Sequence, residues 1–275
     1  MRKIKLALSL IVIGLIMFVL VMTFNGWNFK NLSKQEYVMN TYEITEDFES
    51  IIIDVTTADV KILPSTDNQC KIEIYEDKSN PHKAEATNKT LTIEKQKSKN
   101  FSIFNFESSK ITVYLPNQQY KSLLIEVTTG DIDLDTVNVE SLDFYVTTGD
   151  VSVKNVNCSE TVIINSNTGK TDLTNINCKN LKANGTTNNA ILNNIIAIEK
   201  LEIRITTGDV TLNNCDAAEI YIKVTTGNVS GNLLTGKIFD VQTTTGNKNV
   251  PATTGGMCKI EATTGDISIT VSQSE

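Results

Sequence analysis

From about residue 120 to residue 271 the chain alternates apolar and polar positions with a period of two, the pattern of strands that bury one face. Leu123, Ile125 and Val127 form one such run; Leu142, Phe144 and Val146, Leu201, Ile203 and Ile205, and Ile220, Ile222 and Val224 repeat it. The intervening positions are mostly polar or long, among them Glu126, Asp143, Asn165, Lys182, Glu202, Arg204, Lys223 and Asp240. Each run ends in the same short motif: Thr128-Thr129-Gly130-Asp131, Thr147-Thr148-Gly149-Asp150, Thr206-Thr207-Gly208-Asp209, Thr225-Thr226-Gly227, and Thr263-Thr264-Gly265-Asp266. Alternation then resumes with Ile132 and Leu134, Val151 and Val153, Val210 and Leu212, and Ile267 and Ile269. The motif is therefore a corner between two strands, where glycine takes a positive φ that a side chain would resist. No apolar spacing near 3.6 residues is present, so the repeat is not helical.

The glycine slot of the motif falls at Gly130, Gly149, Gly169, Asn188, Gly208, Gly227, Gly246 and Gly265, always 19 or 20 residues after the last. So constant an interval means stacked copies of one supersecondary unit, each too small to bury its apolar face alone. A third inward track follows the corner at Val137 and Val139, Val156 and Cys158, Ile176 and Cys178, and Ile195 and Ala197. A propeller blade needs about 40 residues. The predicted fold is all-β, a parallel β-solenoid of about 19-residue coils, with regular repeats over 117–275.

Stacking in register would place like charges on neighbouring strands, which destabilises. The residue after the glycine slot reads Asp131, Asp150, Lys170, Asn189, Asp209, Asn228, Asn247 and Asp266, so lysine and asparagine interrupt the acids. A Ca²⁺ ladder would call for a Gly-Gly-x-Gly-x-Asp nonapeptide, which is absent. The column reads instead as side chains capping turns. Four of the five cysteines fall in apolar slots: Cys158, Cys178 and Cys215 in the third track, Cys258 in the column of Leu123 and Leu201. They read as small core hydrophobes with free thiols, although Cys158 and Cys178, one coil apart, are near enough for a bridge. Cys70 precedes the strand 71–75. There is no Cys-x-x-Cys pair and only one histidine, His82, in a segment that reads as a loop, so no metal site is expected.

The amino terminus follows another pattern. Arg2, Lys3 and Lys5 precede Leu6–Phe24, a run without charge that would span about 28 Å as a helix. It lacks a small-x-small cleavage site, and no lipid-accepting cysteine follows. Residues 1–27 are expected to be an uncleaved signal anchor with the transmembrane helix at 6–24, basic residues inside and the remainder outside. A polar stalk is expected over 28–40. Residues 41–116 read as an irregular first unit: Ile51, Ile53 and Val55 lead into Thr56-Thr57-Ala58-Asp59, and an excursion of short strands follows before the first regular coil. That excursion is expected to cap the solenoid, with Phe101, Phe104 and Phe106 packing into the cap. At the other end Asp266–Val271 is expected to be the uncapped last coil and a candidate docking edge.

Composition narrows the function. The net charge is −7, the isoelectric point about 5.0, and Arg2 and Arg204 are the only arginines, so no nucleic-acid groove is expected. Parallel β-helices also host polysaccharide-active enzymes, but the outward acids here sit singly, which reads as a solvated face. No catalytic residue and no cofactor is assigned.

The corner series, the entry Phe48-Glu49-Ser50-Ile51 and the segment Lys110-Ile111-Thr112-Val113-Tyr114-Leu115-Pro116 resemble the bacterial putative-adhesin family of β-strand-repeat domains of unknown function, over roughly 44–271. The resemblance implies a membrane-anchored or surface β-solenoid without established catalysis, with some relatives tied to the cell-envelope stress response. The expected function is that of an extracytoplasmic interaction module at the cell membrane, meeting another envelope protein or a wall polymer. A self-assembling structural β-helix is the alternative.

Overall fold

The computed structural model describes residues 2–24, 26–27, 36–96 and 108–272. Helix α1 (Arg2–Phe24) is followed by β1 (Tyr37–Ile44), β2 (Ser50–Pro64), β3 (Cys70–Asp77), β4 (His82–Thr87), β5 (Thr90–Lys95), β6 (Ser109–Leu115), β7 (Gln119–Thr129), β8 (Ile132–Thr148), β9 (Val151–Thr207) and β10 (Val210–Thr226). Then come β11 (Val229–Leu233), β12 (Lys237–Thr245), β13 (Lys248–Asn249), β14 (Gly256–Thr264) and β15 (Ile267–Val271). From β7 onward every pairing is parallel and equivalent residues of successive coils lie opposite one another, as in Leu123↔Leu142↔Val162 and Ile132↔Val151. Such columns require the chain to wind once per repeat, and β9 passes through several coils, with its corners at left-handed residues inside the strand. The three inward tracks are buried as their alternation predicts, and they form one core from Phe48 to Ile269. Burying each Leu, Ile or Val side chain contributes about 1.5–3 kcal/mol.

The corners show why glycine recurs. Gly130, Gly149, Gly169, Gly208, Gly227, Gly246 and Gly265 have φ between +135° and +146°. A Cβ at any of them would lie 1.9–2.1 Å from the carbonyl oxygen of the slot residue on the neighbouring coil. Ala58 and Asn188 occupy the same slot without a positive φ. In the Asn188 coil the glycine has moved three positions back: Gly185 stands where other coils carry Val127, Val146 or Ile205. The Asn188 side chain turns into that vacated space, where its Nδ2 donates to Ser166 Oγ at 3.0 Å. A second corner is built from Thr136, Asn155, Asn175, Asn194 and Asn214, all left-handed with φ of 53–64°. Asparagine tolerates that conformation.

Coil order departs from chain order at both ends. β2 lies between the β5–β6 coil and the coil begun by β7: Ser50 faces Thr90 on one side and Ser122 on the other, and Ala58 faces Ser109. Beyond that coil, β3 pairs antiparallel with β6, β1 antiparallel with β3, and β4 antiparallel with β5. At the other end β14 pairs with β10 and β15 with β11, directly on the Gly227 coil. The chain has already built β12 and β13, and these lie outside β14 and β15. The docking edge expected at Asp266–Val271 is therefore corrected: β13 covers Ile267 and Ser268, and the outermost coil is 237–255, so that only Ile269–Val271 meet no outer strand among the described residues.

Three further expectations change. His82 opens β4 and is 2% exposed, so it is not in a loop. Tyr37–Asn40, at the end of the segment read as a stalk, belong to β1, while 28–35 lie outside the described residues. Phe101, Phe104 and Phe106 also lie outside them. Among the described residues no helix is long and apolar enough to cross a membrane.

Candidate interaction face

The Thr-Thr-Gly-Asp motif spends its carboxylate on the fold. The backbone N–H of Asp150 donates to Asp131 Oδ1 at 2.8 Å, that of Lys170 to Asp150 Oδ1 at 2.8 Å, and that of Asn228 to Asp209 Oδ1 at 2.7 Å. The ladder also follows the altered coil order, since Asp266 N–H donates to Asn228 Oδ1 and Asn247 N–H to Asp266 Oδ1. Each side chain thus satisfies an amide that the turn leaves without a strand partner. Beside the second corner Asn155, Asn175, Asn194, Asn214 and Asn232 form an amide ladder, each donating from Nδ2 to the previous coil at 2.8–3.2 Å. The 18- to 20-residue spacing of these asparagines is visible in the sequence but lies outside the apolar alternation.

Two buried ionic groups hold the ends. In the cap, the Glu76 carboxylate is fully buried; it accepts from Asn40 Nδ2 and from the His82 backbone N–H, both at 2.6 Å, with His82 Nδ1 also at 2.6 Å. At the open end, Lys237 is 4% exposed and its Nζ lies 2.6 Å from Asp216 Oδ1 and 2.6 Å from Thr235 Oγ1. Lys237 is in register with Gly256, where a Cβ would lie 2.1 Å from the Ala218 carbonyl oxygen. All five cysteines are free and buried. Burial pushes the thiols of Cys70, Cys178 and Cys258 up to about 12 and that of Cys215 up to about 11.

What is left for binding lies on the outward side of the strands that precede the glycine corner. Toward the open end Glu202 and Glu261 are paired with cations. Glu202 pairs with Lys200 and Arg204, which hold its carboxyl down at about 2; Tyr221 lies beneath Arg204 at 4.7 Å, and its hydroxyl donates to Glu261. Toward the cap the pattern reverses. Glu94, Asp54 and Glu126 face one another on three adjacent strands, about 4.8 Å apart per step. None of the three is in an ion pair among the described residues, and Lys83, opposite Glu94, is taken by Glu85. Tyr145, 43% exposed, continues the column above Glu126, and Asn165 follows it. Asp54, Glu126, Tyr145 and Asn165, with Thr128, Thr147 and Asn167, line a shallow groove of about 290 Å³, and Glu94 continues the column beyond it. Next to it, partial burial raises the carboxyl of Asp143.

The sequence showed Glu126 and Asp143 as isolated acids. The structure aligns Glu126 with Asp54 and Glu94, which the chain separates by an excursion and which no local spacing connects. The residues of the corner motif lie elsewhere, along the edge between two faces. Only Thr128 and Thr147 of that motif reach the groove.

A family model described as Toastrack DUF4097 matches residues 48–275. No curated protein matches the chain. Among solved structures, it is similar to a protein named putative adhesin from Bacteroides fragilis, at 14% identity over 87% of this chain and 98% of that one, with a TM-score of 0.39. A putative adhesin from Parabacteroides distasonis is 12% identical over 86% and 98%, with a TM-score of 0.41. A putative lipid binding protein from Parabacteroides distasonis is 16% identical over 86% and 97%, also with a TM-score of 0.41. At such low scores these likenesses carry no argument about what this chain binds.

Proposed function

The chain belongs to the Toastrack DUF4097 family, and on that premise we propose that it is a membrane-anchored extracytoplasmic binding module, an adhesin or envelope scaffold that performs no chemistry of its own. The anchor is α1. In its favour, Leu6–Phe24 carries no charge, basic residues precede it, and its large apolar side chains from Ile11 to Val21 are 45–63% exposed rather than part of the core. The binding surface is the groove beside Tyr145. Its ligand is a cationic or hydroxyl-rich envelope component, such as a wall polymer or a basic segment of another envelope protein.

One observation carries this reading: three stacked carboxylates without counter-ions among the described residues, on a face whose other end pairs Glu202 and Glu261 with cations. Like charges directly opposite one another cost up to about 1 kcal/mol per pair, so the column is a burden to the fold unless a ligand relieves it. A protein reconstituted in vesicles with Asp54→Asn and Glu126→Gln together tests it. The variant should melt at the same temperature or higher than the parent, and should retain severalfold less isolated envelope material at low salt. Undiminished retention would sink the proposal.

A further inference from the structure

The outermost coil offers a second surface, distinct from the groove. β12 pairs with β14 along one side, and along the other it meets no strand among the described residues. The core beneath it is incompletely covered: Phe239, Val241 and Val250 are half-buried and pack against the cluster from one side. On the outer surface Ile238 and Met257, paired across β12 and β14, are 52% and 47% exposed.

Open sheet edges are normally blunted by charge, proline or brevity. The second face of this coil follows that rule, with Lys248 exposed, Pro251 close by and β13 only two residues long. β12 does not. It has nine residues, no proline and a single exposed charge, Asp240, and the lysine that would guard its start, Lys237, is turned inward onto Asp216. A strand defended at its neighbour and left open along its own length is a pairing surface.

We propose that β12 is the contact of a tail-to-tail, two-fold dimer of this chain, formed by antiparallel pairing of β12 with its own copy. The occupant follows from the strand's self-complementarity. With the two-fold axis at Val241, Phe239 meets Thr243 and Ile238 meets Thr244, so inward residues oppose inward ones and outward oppose outward. Asp240 then faces Gln242 of the copy, twice, and no like charges are opposed. Because the opposite end carries the antiparallel strands β1, β3 and β4, parallel coils cannot continue there, and a two-fold contact closes where a head-to-tail one would run on. If α1 is an anchor, as proposed above, it enters at the capped end of each copy, so the dimer would join copies held on two facing membranes.

Charge at position 242 tests the contact without touching the core. The full chain in detergent should show concentration-dependent dimers by sedimentation equilibrium. Gln242→Glu opposes Glu to Asp240 twice and should weaken the dimer on the order of tenfold, whereas Gln242→Lys should tighten it. Asp240→Lys combined with Gln242→Glu should restore association. A monomeric parent chain overturns the proposal. So does a dimer indifferent to these substitutions, which would place the contact on α1 or on another surface. Vesicles carrying the parent chain and the Gln242→Glu variant separate the two readings. Solution dimers without vesicle clustering would leave the β12 contact standing and refute the facing-membrane arrangement.

Discussion

Replacing Gly149 by alanine should destabilise the middle of the solenoid, and the structure supplies the magnitude. Gly149 has φ +146°, a region almost closed to residues with a Cβ, where strain costs roughly 1–3 kcal/mol. The added Cβ would lie 2.0 Å from the Gly130 carbonyl oxygen and 2.6 Å from its carbon. Even a close carbon–oxygen contact needs about 3.3 Å, so the two coils must part by roughly 1 Å at this corner. Two bonds cross that junction, Gly130 N–H to Thr148 O at 3.0 Å and Asp150 N–H to Asp131 Oδ1 at 2.8 Å. Losing them adds about 0.5–1.5 kcal/mol each, for a total of about 2–6 kcal/mol. Gly185→Ala is the comparison. Its φ is not positive, and its nearest clashes are with side-chain atoms, Asn188 Cβ at 2.6 Å and Ile205 Cδ1 at 2.9 Å, which can shift. Urea unfolding followed by circular dichroism should give Gly149→Ala the larger loss. A Gly149→Ala protein within about 1 kcal/mol of the parent, or one less affected than Gly185→Ala, would refute the corner argument.

Two other outcomes follow from the same geometry. Because burial raises their thiols, all five cysteines should resist iodoacetamide at pH 8 in the folded chain and react together once it is unfolded, as read by intact mass. Rapid labelling of any one in the native protein would contradict its burial. Glu202, held at about 2 by Lys200 and Arg204, adds stability that is fully present above its ordinary pKa of 4.5 and is lost as pH falls toward 2. Glu202→Gln should therefore flatten the acid limb of a stability-versus-pH curve between those values. An unchanged limb would mean that the two cations contribute no such coupling.

Much of the interior was legible from the alternation, because a strand that buries one face must repeat its apolar residues every second position. Cys158, Cys178, Cys215 and Cys258 were placed correctly in the core on that ground alone. The candidate site was barely legible. Glu126 could be assigned outward, but its meeting with Asp54 and Glu94 depends on β2 being inserted between β5 and β7. The buried pairs Glu76–His82 and Asp216–Lys237 were hidden for a related reason: a single polar residue carries no periodic signal, and its partner is supplied by the coil on which it happens to rest.

The amino-acid sequence by itself determined the coil: its length, its glycine corners, its inward tracks and its outward columns, all dictated by local backbone geometry and the two-residue period. The tertiary structure alone decided the order in which coils stack. Backbone ladder bonds are nearly the same between any two coils, so the repeat does not specify its neighbour. Irregular contacts settle it, among them the buried pair of Lys237 with Asp216. That choice puts β13 over the start of the carboxy-terminal strand and leaves β12 as the open edge.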